Sequence, residues 1–131
     1  MVKKWIIMIV LMIFLVVGCV VESIYVNKSF DDLINSLNSL QIELDLNQDN
    51  INTKALSEKA EYIHEDWHKK VKVLKCLIWH TGIKDVEIGL ARISVYIEEN
   101  DYTEASAEVL SLVDYLTHYS DDFRISWENI F

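Results

Sequence analysis

VNKSFDDLINSLNSLQIEL, residues 26–44, is the stretch whose reading decides the fold. Its apolar residues Val26, Phe30, Leu33, Leu37, Leu40 and Leu44 are spaced 4-3-4-3-4. A helix puts such positions on one face, and the heptad spacing is that of a coiled-coil or bundle seam. The intervening positions are mostly polar. The stretch therefore reads as an amphipathic helix that needs a partner surface and ends near Asp45.

Upstream of Val26 the pattern changes character. Lys3 and Lys4 are followed by Trp5 to Val21, a run without a charged residue. That run is about 26 Å long as a helix, slightly short of a hydrocarbon core of about 30 Å. Counted from Trp5 to Tyr25 it reaches about 30 Å, with an aromatic ring for each interface. The expected organisation is a cytoplasmic N-terminus at 1–4, a transmembrane anchor at 5–25 and an extracytoplasmic helical domain at 26–131, oriented by Lys3 and Lys4. A second reading stays open. Val16-Val17-Gly18-Cys19 resembles a lipobox, in which Cys19 would be lipidated after cleavage. The apolar residues that continue past Cys19, such as Val20, Val21 and Ile24, favour the uncleaved helix. Val17-Gly18-Cys19 is a poor site for an ordinary secretory cleavage.

Composition narrows the classes of function. The formal charge is −9, and all 21 acidic residues follow Val21, against 10 of the 12 basic ones, which leaves −11 beyond the apolar run. Such a domain repels phosphate, so no nucleic-acid partner is expected. Proline is absent and glycine occurs three times, which favours long helices over a turn-rich β fold. The two cysteines, Cys19 and Cys76, lie in the apolar run and in a domain helix, so no disulfide is expected.

Three further helices come after it. Asn47-Gln48-Asp49-Asn50 is a polar turn. Asn52 or Thr53 caps a second helix with the stripe Leu56, Ala60, Ile63, Trp67, Val71, Leu74 and Ile78, and Gly82 is its expected stop. The third helix runs from about Ile83 to Glu99, with Ile83, Val86, Leu90, Ile93 and Ile97 on one face. After a turn at Asn100-Asp101-Tyr102, the fourth runs from about Thr103 to Tyr119 on Ala105, Val109, Leu112, Leu116 and Tyr119. Ser120-Asp121-Asp122 is expected to break it, and the tail from Phe123 to Phe131 to pack back on the domain. A faint match at an offset of about 50 residues, Asn50-Thr53-Ala55 with Asn100-Thr103-Ala105, suggests two similar hairpins. The fold class is all-α, an N-terminal transmembrane helix continuing into an antiparallel four-helix bundle of two αα-hairpins.

One motif has the form of chemistry. His64-Glu65-Asp66-Trp67-His68 is a literal H-E-x-x-H, which in zinc peptidases places two imidazoles on one helical face with a glutamate to activate the metal-bound water. Its context argues against catalysis. Asp66 stands where such enzymes have an uncharged residue, and no third ligand motif comes after it. His80, twelve residues after His68 on the same expected helix, would be about 18 Å away. Trp67 on the apolar stripe turns both histidines to the flanks. The expected role is a solvated face with no catalytic residue, no metal and no cofactor; the alternative is a zinc hydrolase using His64, Glu65 and His68. Trp79 and His80 before Gly82, with Trp67, are candidate interaction residues. His118 is expected to cap the fourth helix, and Cys76 to be an inert thiol at a helix rim.

The chain resembles the family of domain of unknown function 4363. The resemblance rests on the Lys-rich start and apolar anchor, on Trp67 and His80, and on Leu90-Ala91-Arg92-Ile93 with Tyr96-Ile97. Asp101 with Ala105 and the ending Glu128-Asn129-Ile130-Phe131 complete it. Trp79 departs from the family pattern, where an acidic residue is more usual, and the H-E-x-x-H is not a family feature. The resemblance implies a short single-pass membrane protein of spore-forming Gram-positive bacteria, with no assigned activity. It also implies a multi-pass membrane protein as neighbour. The function expected is a membrane-anchored accessory or interaction protein whose partners are the lipid bilayer and an integral membrane protein. A ligand sensor that signals through a partner's helices is a further alternative.

Overall fold

The structure, a computed structural model, describes residues 1–46, 52–77 and 80–128. Four helices occur in them: α1 Val2–Leu46, α2 Thr53–Leu77, α3 His80–Glu98 and α4 Tyr102–Glu128. Each packs on its chain neighbours, and α4 closes the ring on α1, while the diagonal pairs make no backbone contact among the described residues. Neighbours run antiparallel. Lys59 on α2 meets Glu43 on α1 at 2.5 Å and Lys70 meets Asp32 at 3.5 Å, so α2 descends as α1 rises. Gln41 donates to Ser106 and the Phe30 ring meets that of Tyr119, which sets α4 in the same sense against α1.

The core is the sum of the four stripes. Val26, Phe30, Leu33, Leu37, Leu40 and Leu44 of α1 are all buried, as are Leu56 to Leu74 of the α2 stripe, Ile83 to Ile97 of α3 and Ala105 to Leu116 of α4. Phe30 ties three helices together, with its ring 5.7 Å from Trp67 on α2 and 5.4 Å from Tyr119 on α4. Ile78 lies outside the described residues, as does the polar turn at Asn47–Asn50.

Helix ends reflect side-chain chemistry. Asn52 is the cap of α2: its Oδ1 accepts from the Ala55 amide at 3.2 Å. Asn100 and Asp101 turn α3 into α4. Asn100 takes a left-handed φ of 59° while its amide reaches Ile97 O and that of Asp101 reaches Tyr96 O, a Schellman closure. Asp101 Oδ1 then caps the Glu104 amide at 3.2 Å. Thr53 and Tyr102 join hydroxyls, and the Tyr102 hydroxyl donates to Asn100 Oδ1 at 2.9 Å, so the start of α2 is tied to the start of α4.

Three expectations are corrected. Gly82 does not stop α2; it lies within α3, whose helix begins at His80. A Cβ at Gly82 would meet Tyr119 Cε2 at 2.8 Å and Tyr115 Oη at 3.1 Å, so the glycine serves the close approach of α4. The fourth helix does not end at Tyr119 but runs on to Glu128. Ser120 continues the stripe one turn past Leu116 and is buried, and Ser and Asp cost a helix only a few tenths of a kcal/mol each. Finally, the hairpins correspond at an offset of 49 rather than 50, since the caps are Asn52 and Asp101 and the stripes begin at Leu56 and Ala105. The packing of residues 123–131 against the bundle falls on side chains outside those described.

Among the described residues three groups titrate above their ordinary values. Burial lowers the Lys70 ammonium, but the hydrogen bond and charge of Asp66 at 3.0 Å, with Asp32 beyond, outweigh it and raise it above 10.5. Burial raises the Tyr115 and Tyr119 phenols above 10.0, with the Asp85 charge and Tyr119 adding to Tyr115. Each group holds its proton more tightly folded than unfolded. Their contribution is complete below about pH 10 and is lost as pH rises through the folded values. Denaturant unfolding is expected to show a fall in stability from about pH 10 upward, smaller in the Tyr115→Phe/Tyr119→Phe variant.

Two substitutions test the packing. Gly82→Ala is expected to lower stability by about 1–3 kcal/mol through overpacking against Tyr119, against a helix-propensity gain of about 1 kcal/mol. Leu37→Ala, at a residue 0% exposed, is expected to cost about 2–5 kcal/mol. Chemical denaturation of the full chain in detergent measures both.

Candidate functional site

The feature with the clearest physical demand is the first half of α1. From Trp5 to Val17 every residue is exposed and uncharged, on every side of the helix. A helix apolar all round calls for burial in a large core or a bilayer, and among the described residues no other helix covers this one. The most apolar window of α1 is 0% buried, so this segment takes no part in the bundle core. Half-buried Glu22, Ser23 and Tyr25 mark the transition, and Val26 is the first residue fully enclosed. Cys19 is exposed and unbridged, on the helix segment between these two regions.

The H-E-x-x-H lies on α2 where the bundle turns it outward. Trp67, inside the motif, is 1% exposed against Phe30, and this fixes the rotation of the helix. A docking role for its ring would require the bundle to open. The rotation places the other motif residues. His64 is half-buried, Glu65 is exposed, and the His68 side chain is 62% exposed. His68 Nδ1 donates to Glu87 Oε1 on α3 at 3.0 Å, a contact between neighbouring helices. Lys69 and Lys72 border the same shallow surface. Among the described residues no group of three His, Cys, Asp or Glu is placed to hold a metal ion.

The remaining candidates divide. His80 is the first residue of α3 and not, as expected, a late residue of the helix carrying His68. α2 and α3 are separate helices that pack against each other. The His80 and Cys76 side chains, and Trp79 altogether, lie outside the described residues. His118 is not a terminal cap. It sits well inside α4, 75% exposed, where Nδ1 donates to Asp114 O at 2.8 Å and lies 3.5 Å from Asp114 Oδ1.

The outer face of α3 carries a surface that the sequence expectations do not include. Ile88 and Val95 are 41% and 48% exposed, and Ala91 between them is exposed as well. They form the wall of an apolar groove with Arg92 and Tyr96. Its signal in the sequence is a second 4-3-4 spacing, Lys84, Ile88, Ala91 and Val95, lying opposite the core stripe. That spacing is masked because the core stripe of α3 satisfies the helical period by itself.

No curated protein and no solved structure matches the chain. One family model does, over residues 20–130, which takes in the bundle and leaves out most of the apolar segment. The chain belongs to the family described as Domain of unknown function (DUF4363).

Proposed function

We propose that the chain is a membrane-anchored, non-catalytic accessory protein that holds its acidic four-helix bundle on the extracytoplasmic side and engages an integral membrane protein. The observation that carries this reading is the continuity of α1. One helix of 45 residues, about 68 Å long, supplies first an all-round apolar surface and then a quarter of the bundle core. The join between anchor and domain is thus a hydrogen-bonded helix, which resists bending far more than a loop would. A bundle so mounted keeps a set height and tilt over the bilayer, which suits contact with another protein of the same membrane. Its net negative charge keeps it off anionic headgroups. Lys3 and Lys4 favour retention of the short N-terminus inside.

Cys19 sets a finer alternative, in which lipid on that residue replaces the spanning helix. Intact mass of the membrane-extracted chain separates them. The expected mass is that of the uncleaved, unacylated sequence; loss of residues 1–18 with a lipid adduct would overturn the spanning reading. Protease added outside intact cells or spheroplasts is expected to digest the bundle, and protection of the bundle would reverse the topology.

In-membrane crosslinking of the full chain, with the products identified, tests the partner. An adduct with an integral membrane protein is expected, and recovery of the chain without any such adduct counts against the proposal. Elemental analysis of the purified protein addresses the non-catalytic part. Sub-stoichiometric zinc, unaffected by His64→Ala, is expected; one zinc per chain, lost in that variant, would favour a hydrolase.

A further inference from the structure

The outer face of α3 differs from that of α2. On α2 the line opposite the core carries Glu58, Tyr62, Glu65 and Lys69, and charges interrupt it at every turn. On α3 an outer line runs Ile88, Ala91, Val95 without a charged member, with exposed Arg92 beside it and exposed Lys84 and Glu98 at its ends. The spacing 84-88-91-95-98 is a heptad seam, with Ile88 and Val95 at a positions and Ala91 at d. β-Branched residues at a suit a parallel two-stranded pairing, and the small Ala91 lets two helices come close.

The flanking charges say what would cover it. In this register Glu87 falls at g and Arg92 at e, five residues apart. In a parallel pair, g of one helix faces e of the next heptad on its partner. Two symmetric Glu87–Arg92 pairs would therefore border the seam. Arg92 is able to turn: its side chain is 61% exposed and holds Glu108 only at 3.8 Å. Glu87 lies on the α2 side and Arg92 on the α4 side, as a two-fold axis along the bundle requires. An antiparallel pair would instead set the anchors pointing in opposite directions.

We infer that the outer face of α3, Ile88, Ala91 and Val95 flanked by Glu87 and Arg92, is a parallel homodimer seam that binds the same face of a second copy of this chain. The inference rests on the membrane-anchor reading, because two chains held in one bilayer meet with their helices parallel. The seam is short, and three apolar positions per chain bury much less than the roughly 1,200–2,000 Å² of a stable soluble dimer. The common membrane compensates by raising the effective concentration and removing most orientations.

Cysteine crosslinking of the full chain in its own membranes tests this, in a Cys76→Ser parent that keeps Cys19. Carbonate washing of the membranes comes first: a chain released by it refutes the anchor reading, whereas the crosslinks judge the seam. With a short, water-soluble bismaleimide, Ile88→Cys and Val95→Cys are each expected to give dimers well above the parent. Leu110→Cys on the outer face of α4 is expected to give none. Arg92→Glu in the Val95→Cys chain is expected to lower the dimer yield several-fold, and adding Glu87→Arg to restore it. Glu87, Ile88, Arg92, Val95 and Leu110 are exposed or half-exposed, so the bundle should fold with each of them changed. Four outcomes overturn the seam: no dimer at 88 or 95, adducts only with other proteins, coupling of 88 to 95 in mixed chains without self-coupling, or no rescue by the double charge swap.

Discussion

The structure depends on one helix that carries two different surfaces. From Trp5 to Val21 α1 has no charged face, and from Val26 to Leu44 it has one apolar stripe on a mostly polar helix. The first half needs an apolar medium on all sides, and the second needs it on one side only. The other three helices supply that one-sided cover. Because no loop separates the halves, the backbone hydrogen-bond ladder passes unbroken from one half to the other. The orientation of the bundle is then a property of α1 itself.

The two ends of the bundle are finished differently. At the end far from the apolar segment, short polar side chains do the work. Asn52 and Asp101 cap helices, Asn100 reverses the chain, and Thr53 and Tyr102 connect the two hairpins. At the near end the packing is aromatic: Phe30 stands between Trp67 and Tyr119, and Tyr119 stacks on Tyr115 at 6.2 Å above the bare backbone of Gly82. An aromatic floor suits a position next to a membrane interface, where rings that are apolar on one side and polar on the other are favoured.

The H-E-x-x-H shows how a motif takes its meaning from the helix rotation. Trp67, inside the motif, is the largest fully buried side chain among the described residues, and its burial forces His64 and His68 to the border between α2 and α3. There His68 bonds to Glu87 across the helix pair. The same rotation of α3 that supplies Glu87 to His68 brings Ile88, Ala91 and Val95 to the outside. The residues that resemble a catalytic site and those that resemble a docking seam are thus two consequences of one packing arrangement.

Nearly every buried position was legible in the sequence, because a period of 3.5–3.6 in apolar residues has a single low-energy reading when four helices must share one core. The four stripes, a cap at Asn52 or Thr53, the turn at Asn100-Asp101 and the change of character near Tyr25 were local and could be read locally. What the sequence left open were matters of partner and distance. Gly82 resembles a helix end until Tyr119, distant in the chain, is placed against it. Ser120-Asp121-Asp122 resembles a break until Ser120 is seen to be buried one turn past Leu116. The two-sided character of α3 required knowing which of its stripes the other helices cover. Periodicity reports which residues share a face, but only tertiary packing decides which faces are filled and which are left to meet another molecule.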